Sequence, residues 1–175
     1  FERLQRDVER FIEDGSFDAA LEACRAFATE DAYAAWHAAA RPLQLRCALL
    51  VGAQEAVLEG ARRAIGSRVR FGADRGAITD VKDGVIVART DGASRALRVP
   101  ELSAADIRRL AAASGRDAPK TTLAVGLLLR VQNRHADALA QLSEMIGPVP
   151  DGLSTVYEQV ERESLLGAAR DAIGR

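Results

Sequence analysis

Ala77-Ile78-Thr79-Asp80-Val81-Lys82-Asp83-Gly84-Val85-Ile86-Val87-Ala88-Arg89-Thr90-Asp91-Gly92 governs the reading of the whole chain. Two Asp-Gly pairs flank a run rich in β-branched residues. Glycine accepts the positive φ of a tight hairpin turn without steric cost, so each pair marks a chain reversal between strands. Arg68 to Phe71 alternates polar and apolar side chains, and Arg95 to Val99 continues the strand pattern. Residues 68–99 are therefore expected to be strands. Strands this short do not enclose a core as a flat sheet, so a small curled barrel is the expected form.

On both sides the apolar period changes to that of a helix. Leu4, Val8, Phe11 and Ile12 form one stripe, closed by Asp14 and Gly15. Ser16 stands where a side-chain oxygen could cap the next helix, which would bury Phe17, Ala20, Leu21, Cys24 and Phe27. A third stretch from Asp31 carries Tyr33, Trp36 and Ala40. Pro42, which has no N–H, is expected to kink or restart it. The stripe then runs through Cys47, Leu50, Val51, Val57, Leu58 and Ile65 to a stop at Gly66. After the strands, Ser103 heads a short helix over 104–113 with Ile107 and Leu110 inward. Residues 114–120, with Gly115, Asp117 and Pro119, read as a linker. Further stripes follow: Leu123, Leu127, Leu128 and Val131, then Leu139, Leu142 and Ile146. The last comprises Val156, Tyr157, Val160, Leu165, Ala168 and Ile173. The expected organisation is a helical region over 1–66, a small β-barrel with its short helix over 67–114, and a second helical region over 120–175.

Composition narrows the function classes. The chain has 175 residues, 48% hydrophobic, 28% charged and 5% aromatic, with a net charge of −1. A core can be buried, mainly by Ala, Leu and Val. Nothing in the charge balance calls for a polyanion or an anionic membrane. Lys occurs only at Lys82 and Lys120, and the other basic residues are Arg, which with the Ala richness reads as a GC-rich coding bias. No apolar run reaches the roughly 20 residues a bilayer span needs, and no signal-peptide pattern is present. A cytoplasmic location is favoured. Starting at Phe1 without Met, the chain reads as a piece of a longer protein. Cys24 and Cys47 lie in apolar stretches and read as small buried hydrophobes, without a disulfide framework.

Gly15-Ser16-Phe17-Asp18-Ala19-Ala20-Leu21-Glu22 resembles the central turn of a tetratricopeptide repeat, with a Gly, an aromatic residue two positions later, and Ala where two helices touch. Asn133-Arg134-His135-Ala136-Asp137-Ala138-Leu139 resembles it more loosely, Asn133 replacing Gly and His135 occupying the aromatic place. Each match covers about half a repeat, and the copies stand too far apart for a tandem array. Gly76 to Leu110 resembles a small barrel of the Src-homology-three type, with Val99-Pro100-Glu101-Leu102-Ser103 as its corner. Helical hairpins beside such a barrel look like accessory regions of large multidomain bacterial proteins, some of them kinase-linked. The fold class expected is thus α+β: helical hairpins before and after a four- to five-stranded antiparallel Src-homology-three-like barrel. The resemblance implies an interaction or spacer role.

Reactive constellations are sparse. His37 and His135 have no Cys or carboxylate at metal-ligand spacing, so neither a metal nor another cofactor is expected. Gly115-Arg116-Asp117-Ala118-Pro119-Lys120-Thr121 has the Lys-Thr of a phosphate loop. It lacks the second Gly and a preceding strand, which leaves a nucleotide site at Lys120 as a minor reading. Carboxylates such as Glu13-Asp14 and Glu161 with Glu163 read as helix-end and helix-face charges. No enzyme is expected. The leading expectation is a non-catalytic module binding a protein partner or other domains of the parent chain, with Tyr33, Trp36, Arg75 and Arg89 as contact residues. The alternative is nucleic-acid binding through the arginine-bearing strands. Against it, Phe71 is the one aromatic residue there and Asp74, Asp80, Asp83 and Asp91 interleave.

Overall fold

The computed structural model describes residues 1–90 and 92–174; Asp91, in the second expected Asp-Gly turn, lies outside the described residues. Among those residues the chain forms seven α-helices and one four-stranded antiparallel sheet, a mixed α+β fold with helices before and after the strands. Two compact units are present, Phe1–Gly52 and Ala53–Arg175.

In the first unit, α1 (Glu2–Glu13) buries Leu4, Val8 and Ile12. Gly15 turns the chain at φ +72. Its N–H reaches Ile12 O at 3.0 Å, and the Ser16 N–H reaches Phe11 O at 2.7 Å, closing the helix end with a Schellman pair. Helix α2 (Phe17–Thr29) follows, with Phe17, Ala20, Leu21, Cys24 and Phe27 inward. Ser16 occupies the N-cap position, yet its side chain accepts no capping bond: its ψ of 61° departs from the extended backbone that aims a cap oxygen at the helix. Asp31–Trp36 is a 3₁₀ helix, and α3 (His37–Arg63) runs on through Pro42 without restarting. The bond that Pro42 gives up belongs to the first turn, where Ala38 is exposed and its carbonyl can face water. Cys24 and Cys47 are free, fully buried thiols with sulfurs 4.0 Å apart. The hydrogen bond to Cys24 and burial together push the Cys47 thiol up.

The second unit opens with the remainder of α3. Gly66, at φ +88, donates its N–H to Ile78 O at 2.8 Å. Strands β1 (Arg68–Phe71), β2 (Asp74–Lys82), β3 (Val85–Thr90) and β4 (Ala93–Leu97) pair as a meander in the order β1-β2-β3-β4. Asp83 and Gly84 both have positive φ, 50° and 77°, as a primed hairpin turn requires. Alternation sends Val69, Phe71, Ile78, Ile86, Ala88 and Leu97 to a buried face. After β4, a 3₁₀ turn at Val99–Glu101 leads Leu102 back to a bridge with Phe71, and the Ser103 N–H donates to Arg70 O at 2.9 Å.

Helix α4 (Ala104–Ala113) is capped by Ser103, whose Oγ accepts the Asp106 N–H at 3.1 Å. Where 114–120 was expected as a linker, α5 (Ala118–Val131) already begins at Ala118, and Asp117 caps it by accepting the Lys120 N–H at 3.0 Å. Arg116 pins the short connection to α3 through Glu55 and Glu59, both at 2.9 Å. Helix α5 is the central one: Leu123 to Leu129 are all buried. Helices α6 (His135–Ser143) and α7 (Ser154–Ile173) pack on it. On α7 the inward line is Val156, Val160 and Ser164, so Leu165 and Ile173, expected inward, are exposed. Ile65 and Ile146, expected within apolar stripes, are exposed as well, because each follows the last full turn of its helix. No helix among the described residues is long and apolar enough to cross a membrane.

Candidate functional site

Two separate surfaces carry the residues singled out from the sequence. On the first unit, the 3₁₀ helix holds Tyr33 at 39% and Trp36 at 51% exposure. Both rings stack on a neighbour. Tyr33 lies 4.5 Å from Phe27 with planes 4° apart, and Trp36 lies 6.0 Å from Phe1 with planes 5° apart. His37 follows directly, its Nε2 at 3.2 Å from Glu30 O, so its ring is anchored to the turn that precedes these aromatics.

On the second unit, the sheet gathers Arg75 and Arg89 with Arg68 and Arg70, which belong to the arginine-bearing strands of the nucleic-acid alternative and not to the expected protein-contact set. Arg68 and Arg70 alternate with buried Val69 and Phe71 and so face outward. Register sets Arg70 directly opposite Arg75. It sets Arg68 opposite Ala77, and Ala77 opposite Arg89. The Arg-Val-Arg-Phe alternation was a visible signal, but only the register shows that it shares a face with Arg75 and Arg89.

Beside this face, Asp106 at the start of α4 binds the β1 edge. Its carboxylate accepts the Arg70 N–H at 2.7 Å, the Ser103 hydroxyl at 2.8 Å and the Arg109 guanidinium at 2.9 Å. Burial pushes its pKa up, but these donors outweigh it and hold the carboxyl below the usual Asp range. Arg109 also donates to Arg68 O at 2.9 Å, so both outward arginines of β1 are held through their backbones. The opposite face is differently furnished: Arg95 lies over the Phe71 ring at 5.3 Å and pairs with Asp74 and Glu101.

Other candidates are used structurally. His135 lies against Gly167 of α7, and its Nδ1 is buried without a hydrogen-bond partner among the described residues. The Arg134 guanidinium donates to Leu102 O at 2.7 Å, and burial holds its pKa below the ordinary value. The Lys120 N–H is taken up by the Asp117 cap, at the place where a phosphate cradle would need free donors. Among the described residues no group of three or more His, Cys, Asp or Glu side chains could hold a metal ion. Comparisons of the chain with family models, curated proteins and solved structures find no match.

Proposed function

We propose that the chain is a non-catalytic interaction or scaffold module of a larger bacterial protein. One observation carries the reading: Tyr33 and Trp36 are exposed while their rings stack on Phe27 and Phe1. Large aromatic side chains that lose little freedom on contact are the residue type that dominates protein interfaces. Tetratricopeptide-like packing is supported by Gly15 at φ +72 followed by buried Phe17 and Ala20. A Src-homology-three-like barrel is supported by the Val99–Glu101 turn and the Phe71–Leu102 bridge, which draw the chain after β4 toward β1.

The test uses the purified chain as bait for proteins of a bacterial lysate, beside its Tyr33→Ala/Trp36→Ala variant. A partner retained by the wild type and bound about thirtyfold more weakly by the variant is expected, since one aromatic hot spot is worth about 2 kcal/mol. Equal retention by both proteins overturns the reading. A second reading, nucleic-acid binding, draws on the outward arginines of the sheet. It requires an affinity that falls steeply between low and high salt, because phosphate contacts release counterions.

A further inference from the structure

We infer that the outward face of β1 and β2 binds an acidic, extended segment of a partner protein, its carboxylates received by Arg68, Arg70 and Arg75. The inference rests on the interaction reading above but on a different surface. It begins with a cost. Arg70 and Arg75 stand directly opposite each other across the β1–β2 pair, where Cβ atoms lie about 5 Å apart and like charges are destabilising. Among the described residues, the side chains of Arg68, Arg70, Arg75 and Arg89 make no ion pair or hydrogen bond, whereas Arg95 and Arg98 nearby are both paired. The fold therefore keeps uncompensated guanidinium groups together on one face.

The arginines also border a concavity. A cleft of about 320 Å³ is lined by Arg68, Val69, Arg70 and Arg75 of the sheet and by Ser103, Ala105 and Asp106. Asp106 is the one carboxylate lining it, and it is already bound by Arg109, Ser103 and the Arg70 backbone. Its charge is answered locally, so the cleft as a whole is positive. The Arg70 N–H bond to Asp106 and the Arg109 bond to Arg68 O tie the backbone of β1 to α4, so the guanidiniums project from a braced strand, which limits the ordering cost of binding.

Carboxylates on a peptide fit this site better than phosphates on a nucleic acid. Guanidinium is a planar fork that takes a carboxylate with two parallel hydrogen bonds. Along β1, Arg68 and Arg70 repeat every second residue, a spacing of about 7 Å, and an extended peptide with acids at alternate positions repeats at the same interval. Base recognition on a small sheet needs exposed rings for stacking, but Phe71 is 3% exposed and on the opposite face.

The experiment titrates the whole 175-residue chain into three labelled probes by fluorescence anisotropy. They are the peptide Glu-Ser-Glu-Ser-Glu-Ser, its Gln-for-Glu counterpart, and a short oligothymidylate. Arg70→Gln/Arg75→Gln removes the facing pair, and Lys82→Gln removes a charge at the far end of β2; circular dichroism establishes that each variant is folded. The Glu peptide should bind the wild type and K82Q alike, lose about tenfold or more in affinity for R70Q/R75Q, and exceed the Gln peptide by a similar factor. A Glu peptide bound equally by R70Q/R75Q, or no better than the Gln peptide, overturns the cleft while leaving the Tyr33/Trp36 reading intact. Tighter binding of oligothymidylate, lost in R70Q/R75Q, overturns the peptide assignment and establishes the nucleic-acid reading for this face.

Discussion

The turn between α1 and α2 and the turn between α5 and α6 have the same backbone and opposite interiors. At the first, the N–H groups of Gly15 and Ser16 close the helix at 3.0 and 2.7 Å; at the second, those of Asn133 and Arg134 do so at 2.9 and 3.0 Å. The residues that follow the turn match as well: Ser16 has φ −89 and ψ 61, Arg134 φ −94 and ψ 62. Yet Phe17 drops into an apolar core at 2% exposure. His135, in the equivalent place, sits against Gly167 with a buried nitrogen that lacks a partner among the described residues. Backbone geometry at a helix corner is set locally by one left-handed residue. What fills the corner is set by the helix packed beyond it.

That contrast can be tested from its strong side to its weak one. Phe17→Ala empties an apolar corner and should cost about 3–5 kcal/mol in urea unfolding. A loss no larger than that of His135→Ala would show that the two corners are filled alike. Gly167→Ala should cost about 1–3 kcal/mol, since a Cβ there would lie 2.3–2.4 Å from the His135 ring. In an open helix the same change would instead stabilise by up to about 1 kcal/mol, so the sign of the effect reports the contact. Adding His135→Ala should restore the loss, and the double-mutant cycle measures their coupling. Asn133→Gly is the mildest change. Asn133 holds φ +58 against its preference, and Gly15 shows the relaxed solution. A gain of about 0.5 kcal/mol in the same assay is expected.

Much of this was legible in the sequence because it depends on neighbours along the chain. Asp83-Gly84 specified its turn, Ser103 its cap, and the stripes of α1, α2 and α4 their buried faces. What failed depended on distant groups. Residues 114–120 looked like a linker because Gly115 and Pro119 are local breakers, whereas Arg116 is held by Glu55 and Glu59 from far back in the chain. Leu165 looked inward by period, but the contact line of α7 ends on Ser164, which only the packed helices decide. The candidate surfaces divided the same way. Tyr33 and Trp36 could be named as exposed aromatics, but their ring partners lie on α2 and at Phe1. The strand arginines could be named from the sequence, while strand register alone shows that Arg70 stands opposite Arg75 and that Arg68 and Arg89 share their face.

Gly60 has one more consequence. A side chain there would come within 1.7 Å of Leu110 O, so α3 and α4 touch backbone to backbone. Close by, the Arg63 guanidinium grips Ala113 O at 3.2 Å. The strands β1 to β4 therefore lie in sequence between two helices clasped together, and the hairpin turn at Asp83-Gly84 is exposed. Extra sequence spliced into that turn would add only loop entropy that grows slowly with length. It is the place where this protein could acquire a new appendage, or be given a reporter, without loosening its helices.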